Sequence, residues 1–193
     1  MTLYHISQTL QLDDELLPGP QNLSDLAEPF LLGLEHSRDC FYAMLLNGKY
    51  LFAVMNRSRL REWADYAKWA TEGLFEYVRR RSFPEAVSRL RCTYYYDNLA
   101  DCRRLYEEDW GEEIPEEREK VRLFAVEVED PAPQRRDMTL YDEAYDAVER
   151  QDPEAALELA ARYFRGEASE RPVWEILSDK PARAVEDLTP SLQ

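Results

Sequence analysis

Histidine and cysteine are scarce in this sequence, and their scarcity limits the metal and redox chemistry that the chain can carry. Its 193 residues include only two histidines, His5 and His36, so a histidine-rich zinc site is not expected. The three cysteines, Cys40, Cys92 and Cys102, are odd in number and show no Cys-x-x-Cys spacing. We therefore expect them to be buried, reduced thiols of a cytosolic protein.

Long apolar runs are also missing. No segment approaches the length that a membrane-spanning helix needs. The N-terminus lacks the basic segment followed by an apolar run that marks a signal peptide. We therefore expect a soluble, cytoplasmic protein without a membrane partner.

Basic residues are too few to balance the acidic ones. The chain has 24 lysines and arginines against 39 aspartates and glutamates, which gives a formal net charge of −15. This balance disfavours a general nucleic-acid-binding surface, because neutralising phosphates requires basic residues. An acidic excess commonly serves solubility. It also suits a mimic of nucleic acid, or a protein that captures a basic partner.

The residues that are abundant favour a folded core. Hydrophobic residues make up 45% of the chain and aromatic residues 12%, enough for one domain over residues 1–193. Alternation and apolar content predict strands at 2–7, 91–96, 121–129, 171–178 and 182–188. Helical spacing predicts helices at 24–34, 40–46, 58–80, 99–106, 139–150 and 153–165. The segments 8–22, 111–120 and 130–137 are predicted to be loops. The fold class is therefore α+β.

The predicted strand 91–96 ends in three consecutive tyrosines, and Arg89 lies just before the strand. A strand sends alternate side chains to opposite faces, so Tyr94 and Tyr96 share one face and Tyr95 lies on the other with Thr93. At least one of these rings must therefore meet water or line a cleft. The plain interpretation is a core strand that leads into a helix, capped by Asp97 or Asn98.

Two further strands each carry one polar residue among apolar neighbours. His5 lies on the first strand, where a histidine most often has a structural role. Glu175 alternates with Val173 and Leu177 on the strand 171–178. A carboxylate in that setting is costly to bury alone, so it should have a partner or line a cleft. The alternative is an edge strand whose glutamate points to water.

The order histidine, tyrosine, glutamate on three strands resembles the His-Tyr-Glu form of the ADP-ribosyltransferase superfamily. LYHIS, CTYYYDNLADC and PVWEILSDKPARAV are similar to that superfamily's first, second and third motifs. The chain as a whole also resembles an uncharacterised bacterial domain family, through SFPEAVSRL, VEVED, DMTLYDEAYDA and WEILSDKPAR.

The first resemblance implies a split, strongly bent mixed β-sheet with NAD in its cleft. The predicted helical insertion at about 24–80, after the first strand, has no counterpart in compact members of the superfamily. The resemblance also implies an NAD-binding protein that transfers mono-ADP-ribose to a protein or nucleic-acid acceptor, without a metal. His5 would bind the adenosine ribose, and one of Tyr94, Tyr95 or Tyr96 would stack on nicotinamide. Glu175 would bind the nicotinamide ribose and stabilise the cation that forms when nicotinamide leaves.

Arg89 is our own addition to this cofactor site. Its planar guanidinium could pair with the pyrophosphate of NAD. Many transferases of the superfamily carry Gln or Glu two residues before the catalytic glutamate, where this chain has Val173. Arginine is therefore not supported as the acceptor, and an inactive descendant that keeps the fold is an alternative.

Two other interpretations remain open. The first is a non-enzymatic acidic binding module, such as an inhibitor of a basic toxin or a nucleic-acid mimic. In that case the acidic side chains would form one continuous surface, and no cleft would contain Glu175. The second is a hydrolase with paired carboxylates drawn from Glu127, Glu129 and Asp179, although their spacing singles out no pair.

Overall fold

The computed structural model describes residues 2–19, 24–47 and 66–192. The chain divides into two compact units. The sheet unit comprises Met1–Gly19, Arg91–Arg135 and Val173–Gln193, and the helical unit comprises Pro20–Leu90 and Arg136–Pro172. The expectation of a single domain over 1–193 stays a prediction.

One seven-stranded sheet is present in the described part of the chain, in the order β2-β7-β4-β1-β3-β6-β5. The five pairings that join β2 to β7, β7 to β4, β4 to β1, β1 to β3 and β3 to β6 are antiparallel. The α+β class is thus confirmed, whereas the expected mixed sheet is replaced by an antiparallel one. The strands are β1 Leu3–Ser7, β2 Glu15–Leu16, β3 Thr93–Tyr96, β4 Arg122–Val128, β5 Gln134–Asp137, β6 Trp174–Ser178 and β7 Ala182–Asp187.

Seven α-helices lie in the described ranges, and one of the two N-cap residues proposed from the sequence, Asn98, is confirmed. Asn98 accepts a hydrogen bond from the backbone N–H of Ala100 at 2.8 Å, and Gly166 ends the last helix with a φ of 75°. The helices are α1 Ser24–His36, α2 Arg38–Leu46, α3 Tyr66–Ser82, α4 Leu99–Trp110, α5 Pro115–Arg118, α6 Met138–Glu149 and α7 Pro153–Arg165, with 3₁₀ turns at Arg89–Arg91 and Thr189–Leu192. Residues 58–65 of the predicted long helix lie outside the described residues.

Three short elements were predicted to be loops, namely β2, β5 and α5. Two to four residues are too few to display a helical or strand period. Backbone pairing with β7 holds β2, since Asp13 N–H donates to the Ala184 carbonyl and Ala184 N–H donates to the Asp14 carbonyl, both at 3.0 Å. Pro115 opens α5, where its missing N–H has no helical partner to lose.

The sheet has two faces with different covers. On the helix face, α4 and the C-terminal 3₁₀ turn pack against alternate residues of β1, β3 and β4, which are Tyr4, Ile6, Tyr96 and Leu123. On the loop face, Leu10 and Leu16 pack against the other residues of the strands, among them Leu3, Tyr95, Phe124, Val126 and Ile176. Burial on both faces fixes the register of the central strands.

The helical unit is built around α3. Gly73 on this helix lies against the backbone of α1, because a Cβ at this position would be 2.7 Å from the Ala27 carbonyl oxygen. Phe75 makes edge contacts with Tyr141 of α6 and Tyr163 of α7. No helix in the described ranges is long and apolar enough to cross a membrane.

Candidate functional site

The three tyrosines of β3 alternate as their sequence predicts. Tyr96 lies opposite Tyr4 on one side and opposite Glu175 on the other, so these three side chains share the helix face. Tyr95 lies on the loop face and is completely buried. Tyr94 and Tyr96 are half-buried. The ring that is packed in the core is therefore Tyr95.

His5 belongs to the loop face, since it lies opposite Phe124 in the register between β1 and β4. Its Nδ1 donates a hydrogen bond to the carbonyl of Tyr94 at 2.9 Å, and its ring centroid is 5.8 Å from that of Tyr95. Burial lowers the pKa of His5, and the hydrogen bond to Tyr94 offsets only part of this effect. These contacts give the imidazole a structural role in joining β1 to β3.

Glu175 is 2% exposed and lies on a strand that has neighbours on both sides. The edge-strand interpretation of this residue is therefore wrong. The registers place Glu175 and His5 on opposite faces of the sheet, because Glu175 pairs with Tyr96, Tyr96 with Tyr4, and Tyr4 precedes His5 on β1. The structure does not bring these two residues to one cleft, and their predicted roles toward NAD stay predictions.

Tyr95 offers little to a stacking ligand in the described structure. Its ring is completely buried, and its hydroxyl makes no hydrogen bond of good geometry with the described residues. Burial raises the pKa of Tyr95 to about 12, an effect that Thr93 only partly offsets. Of the three candidate rings, the half-buried Tyr94 and Tyr96 remain for contact with a ligand.

Arg89 lies in the helical unit and is engaged by its own surroundings. Its guanidinium is 3.3 Å from a carboxylate oxygen of Glu72 and donates to the Tyr163 hydroxyl at 2.8 Å. It also lies 4.0 Å from the centroid of the Tyr141 ring. Arg89 is 7% exposed, so a pyrophosphate would have to displace Glu72 to reach it.

The remaining chemical candidates are few within the described ranges. No group of three or more His, Cys, Asp or Glu residues there could hold a metal ion. Cys92 and Cys102 are buried and form no disulfide with a described residue, and burial raises the pKa of Cys102 to about 12, so this thiol resists ionisation. Glu127, Glu129 and Asp179, the carboxylates of the hydrolase interpretation, are exposed.

A groove in the sheet unit combines an apolar floor with a charged rim. The cavity has a volume of about 370 Å³ and lies where α4, α5 and the C-terminal 3₁₀ turn meet. Tyr106 is 7% exposed and stacks on Trp110, with 6.3 Å between the ring centroids. The lining residues are Tyr106, Pro115, Val121 and Leu192 on the apolar side and Glu113, Arg118, Glu119 and Thr189 on the polar side.

The rim of the groove belongs to an acidic segment, residues 107–119. This segment has one basic residue, Arg118, and the eight acidic residues Glu107, Glu108, Asp109, Glu112, Glu113, Glu116, Glu117 and Glu119. Arg118 donates to the Glu107 carboxylate at 3.0 Å and to the Gly111 carbonyl at 3.1 Å, and it lies over the Tyr106 ring. The hydrogen bond to Tyr106 and the Glu107 charge raise the pKa of Arg118. The segment's one cation is thus already engaged.

Sequence reasoning interpreted most of this segment as a solvated loop and did not find the groove. The floor residues Tyr106, Val121 and Leu192 come from three distant parts of the chain, and no sequence period connects them. The signal that could have drawn attention is Ile114, an apolar residue between Glu113 and Pro115 in this acidic segment, which is 59% exposed.

These features define an α+β protein with an antiparallel sheet, helices on one sheet face and an acidic groove beside them. The chain belongs to the family described as "Protein of unknown function (DUF2441)", which matches residues 35–189. The expected membership of an uncharacterised family is confirmed, and this match gives no support for a relationship with ADP-ribosyltransferases. A search of the curated proteins found no match.

Proposed function

We propose that the protein is a non-catalytic binding module whose partner is a basic protein. The observation that carries this proposal is the acidic segment beside the groove, in which Arg118 is bound by Glu107 and Gly111. Seven of its eight acidic residues are exposed and Glu117 is half-buried, so the segment presents a dense negative surface to the solvent. Such a surface attracts and orients a partner of positive charge.

The position of Glu175 supports binding rather than ADP-ribosyl transfer. Glu175 is 2% exposed and does not line the groove. A carboxylate stabilises a ribosyl cation only when it lies beside the sugar, which requires access to the ligand. Transfer chemistry at Glu175 would need the sheet unit to open, whereas binding at the acidic segment needs no rearrangement.

The test is binding of a fluorescent oligolysine peptide to the whole protein, followed by fluorescence anisotropy at low and high salt. A triple reversal, Glu112→Lys with Glu113→Lys and Glu116→Lys, should weaken binding by roughly tenfold or more. A matched triple reversal in the helical unit, at the exposed residues Glu28, Glu143 and Glu170, changes the net charge equally. It should weaken binding far less, because the proposal assigns the peptide to the acidic segment and not to the net charge of the chain.

Equal losses in the two triple variants would show that only net charge matters and would overturn the proposal. Calorimetry with NAD on the wild type and on His5→Ala tests the cofactor interpretation in parallel. We expect no heat of binding in either protein. A heat that disappears in His5→Ala would instead favour an NAD-binding protein.

A further inference from the structure

The groove beside the acidic segment has a defined volume and apolar lining residues, which binding of a basic peptide by charge alone does not require. It is about 370 Å³ in volume, near the lower end of the range of small-molecule sites. This size suits one or two side chains of a partner rather than a cofactor as large as NAD. Tyr106, Val121 and Leu192 form an apolar floor that a polylysine chain has no apolar side chain to cover.

The floor of the groove is held in place by the core of the sheet unit. Tyr106 and Leu192 are each 7% exposed, and Val121 is 2% exposed. All three belong to the apolar cluster that covers the helix face. Little conformational entropy remains to be lost when a ligand contacts them, which favours a pre-organised anchor site.

The rim of the groove determines the charge of its occupant. Glu113 and Glu119 line the groove beside Arg118, and Arg118 is satisfied by Glu107, by the Gly111 carbonyl and by the Tyr106 ring. Among the described residues, Arg118 pairs with Glu107 and Lys120 pairs with Glu117, and neither Glu113 nor Glu119 has an ion pair. An incoming cation therefore completes the charge balance of the rim, whereas an incoming anion would meet two glutamates.

We infer that the groove binds a segment of the basic partner in which one large apolar or aromatic side chain lies between lysines or arginines. This inference rests on the proposed function and deepens it. The apolar side chain enters the groove against Tyr106, and the flanking cations contact Glu113 and Glu119. Ile114, which is 59% exposed between Glu113 and Pro115, adds apolar contact outside the groove.

The test uses the full chain labelled with 5-fluorotryptophan and three peptides of equal length. The first peptide places phenylalanine among lysines, the second has alanine in its place, and the third places phenylalanine among glutamates. Fluorine NMR follows Trp110, whose resonance is assigned with Trp110→Phe. Trp110 reports on the groove because its ring stacks on that of Tyr106, a lining residue. The Trp69 and Trp174 resonances, from residues that do not line the groove, serve as controls.

We expect the phenylalanine–lysine peptide to bind roughly tenfold more tightly than its alanine counterpart, because the alanine peptide cannot bury a ring. It should also shift the Trp110 resonance selectively. The glutamate peptide should not bind. The variant Glu113→Gln with Glu119→Gln should weaken both lysine peptides, while the ratio of their affinities should stay unchanged.

Three other outcomes would overturn one or both proposals. Equal, salt-dependent binding of the two lysine peptides without a Trp110 shift would overturn the anchor and leave the proposed function standing. Failure of both lysine peptides to bind would overturn both proposals. A Trp110 shift that depends on protein concentration alone, without peptide, would assign the groove to a second copy of this chain and overturn the partner proposed here.

Discussion

His5 and Glu175 lie on opposite faces of one antiparallel sheet, although one strand, β3, separates their strands. Tyr96 of β3 faces Glu175, while Tyr95 faces His5. A ligand on either face could therefore contact only one of the two residues without passing through the sheet. This relationship separates the carboxylate from the imidazole that the His-Tyr-Glu resemblance would combine.

The buried imidazole of His5 should make stability depend on pH. Burial lowers the pKa of His5 in the folded protein, so the unfolded chain binds the proton more readily. Stability should be complete above the unfolded pKa of about 6.5 and should fall as the pH decreases below it. His5→Asn keeps a side-chain donor but cannot titrate. Urea unfolding between pH 5 and 8 should show that this variant loses less stability on acidification than the wild type. The same pH dependence of the free energy of unfolding in both proteins would contradict the prediction.

The Tyr95 hydroxyl should contribute little to the stability of the folded protein at neutral pH. It is buried without a hydrogen bond of good geometry to the described residues, so Tyr95→Phe should leave stability unchanged or raise it by up to about 1 kcal/mol. The folded pKa of about 12 exceeds the unfolded value of about 10, so the wild type should lose stability as the pH rises above 10.

That loss should reach about 1 kcal/mol at pH 11 relative to Tyr95→Phe, which has no proton to release at this position. Urea unfolding at pH 8 and pH 11 measures the difference. A destabilisation of Tyr95→Phe by several kcal/mol at pH 8 would show that the hydroxyl has a strong partner.

Removing one partner of the Glu72–Arg89 pair should destabilise the protein strongly, whereas replacing both partners with apolar residues should cost much less. Both side chains are buried, at 4% and 8% exposure, so Arg89→Met leaves an unpaired carboxylate and should cost about 3–5 kcal/mol. Adding Glu72→Leu should recover much of the loss. Arg38→Met, which breaks an exposed pair with Glu154, is the control and should cost less than about 1 kcal/mol. Equal costs for the two arginine variants in urea unfolding would refute the argument.

The substitution Gly73→Ala has two opposite effects on stability, one from helix propensity and one from packing. Propensity favours Gly73→Ala by about 1 kcal/mol. The new Cβ, however, would lie 2.7 Å from the Ala27 carbonyl oxygen and 2.9 Å from the Leu31 nitrogen, both backbone atoms of α1. We expect the contact to dominate, with a net loss of about 1–3 kcal/mol and a lower melting temperature.

Gly19→Ala is the matched control, because its Cβ would have no neighbour within 4 Å. It should change the free energy of unfolding by no more than about 1 kcal/mol. A melting temperature of Gly73→Ala at or above that of the wild type would mean that α1 moves aside at negligible cost.

The sequence was most informative about side-chain orientation where the alternation extends over a whole predicted strand. The alternation over the predicted strand 91–96 assigned the faces of the three tyrosines, and the registers of β3 confirm this assignment. It was least informative for β2, β5 and α5, which are too short to show a period and depend on partners elsewhere in the chain. The groove was missed for the same reason, since Tyr106, Val121 and Leu192 meet only in the folded protein.

By itself the sequence determined the acidic charge, a helix start at Asp97 or Asn98, and the division of each strand into two faces. Only the tertiary structure decided which faces of different strands coincide. A strand's period of two fixes its own alternation, but the register against its neighbour is set by packing across the whole sheet, and a shift of one residue exchanges the faces. His5 and Glu175 were therefore each placed correctly on their strands, and their separation became visible only when β1, β3 and β6 were paired.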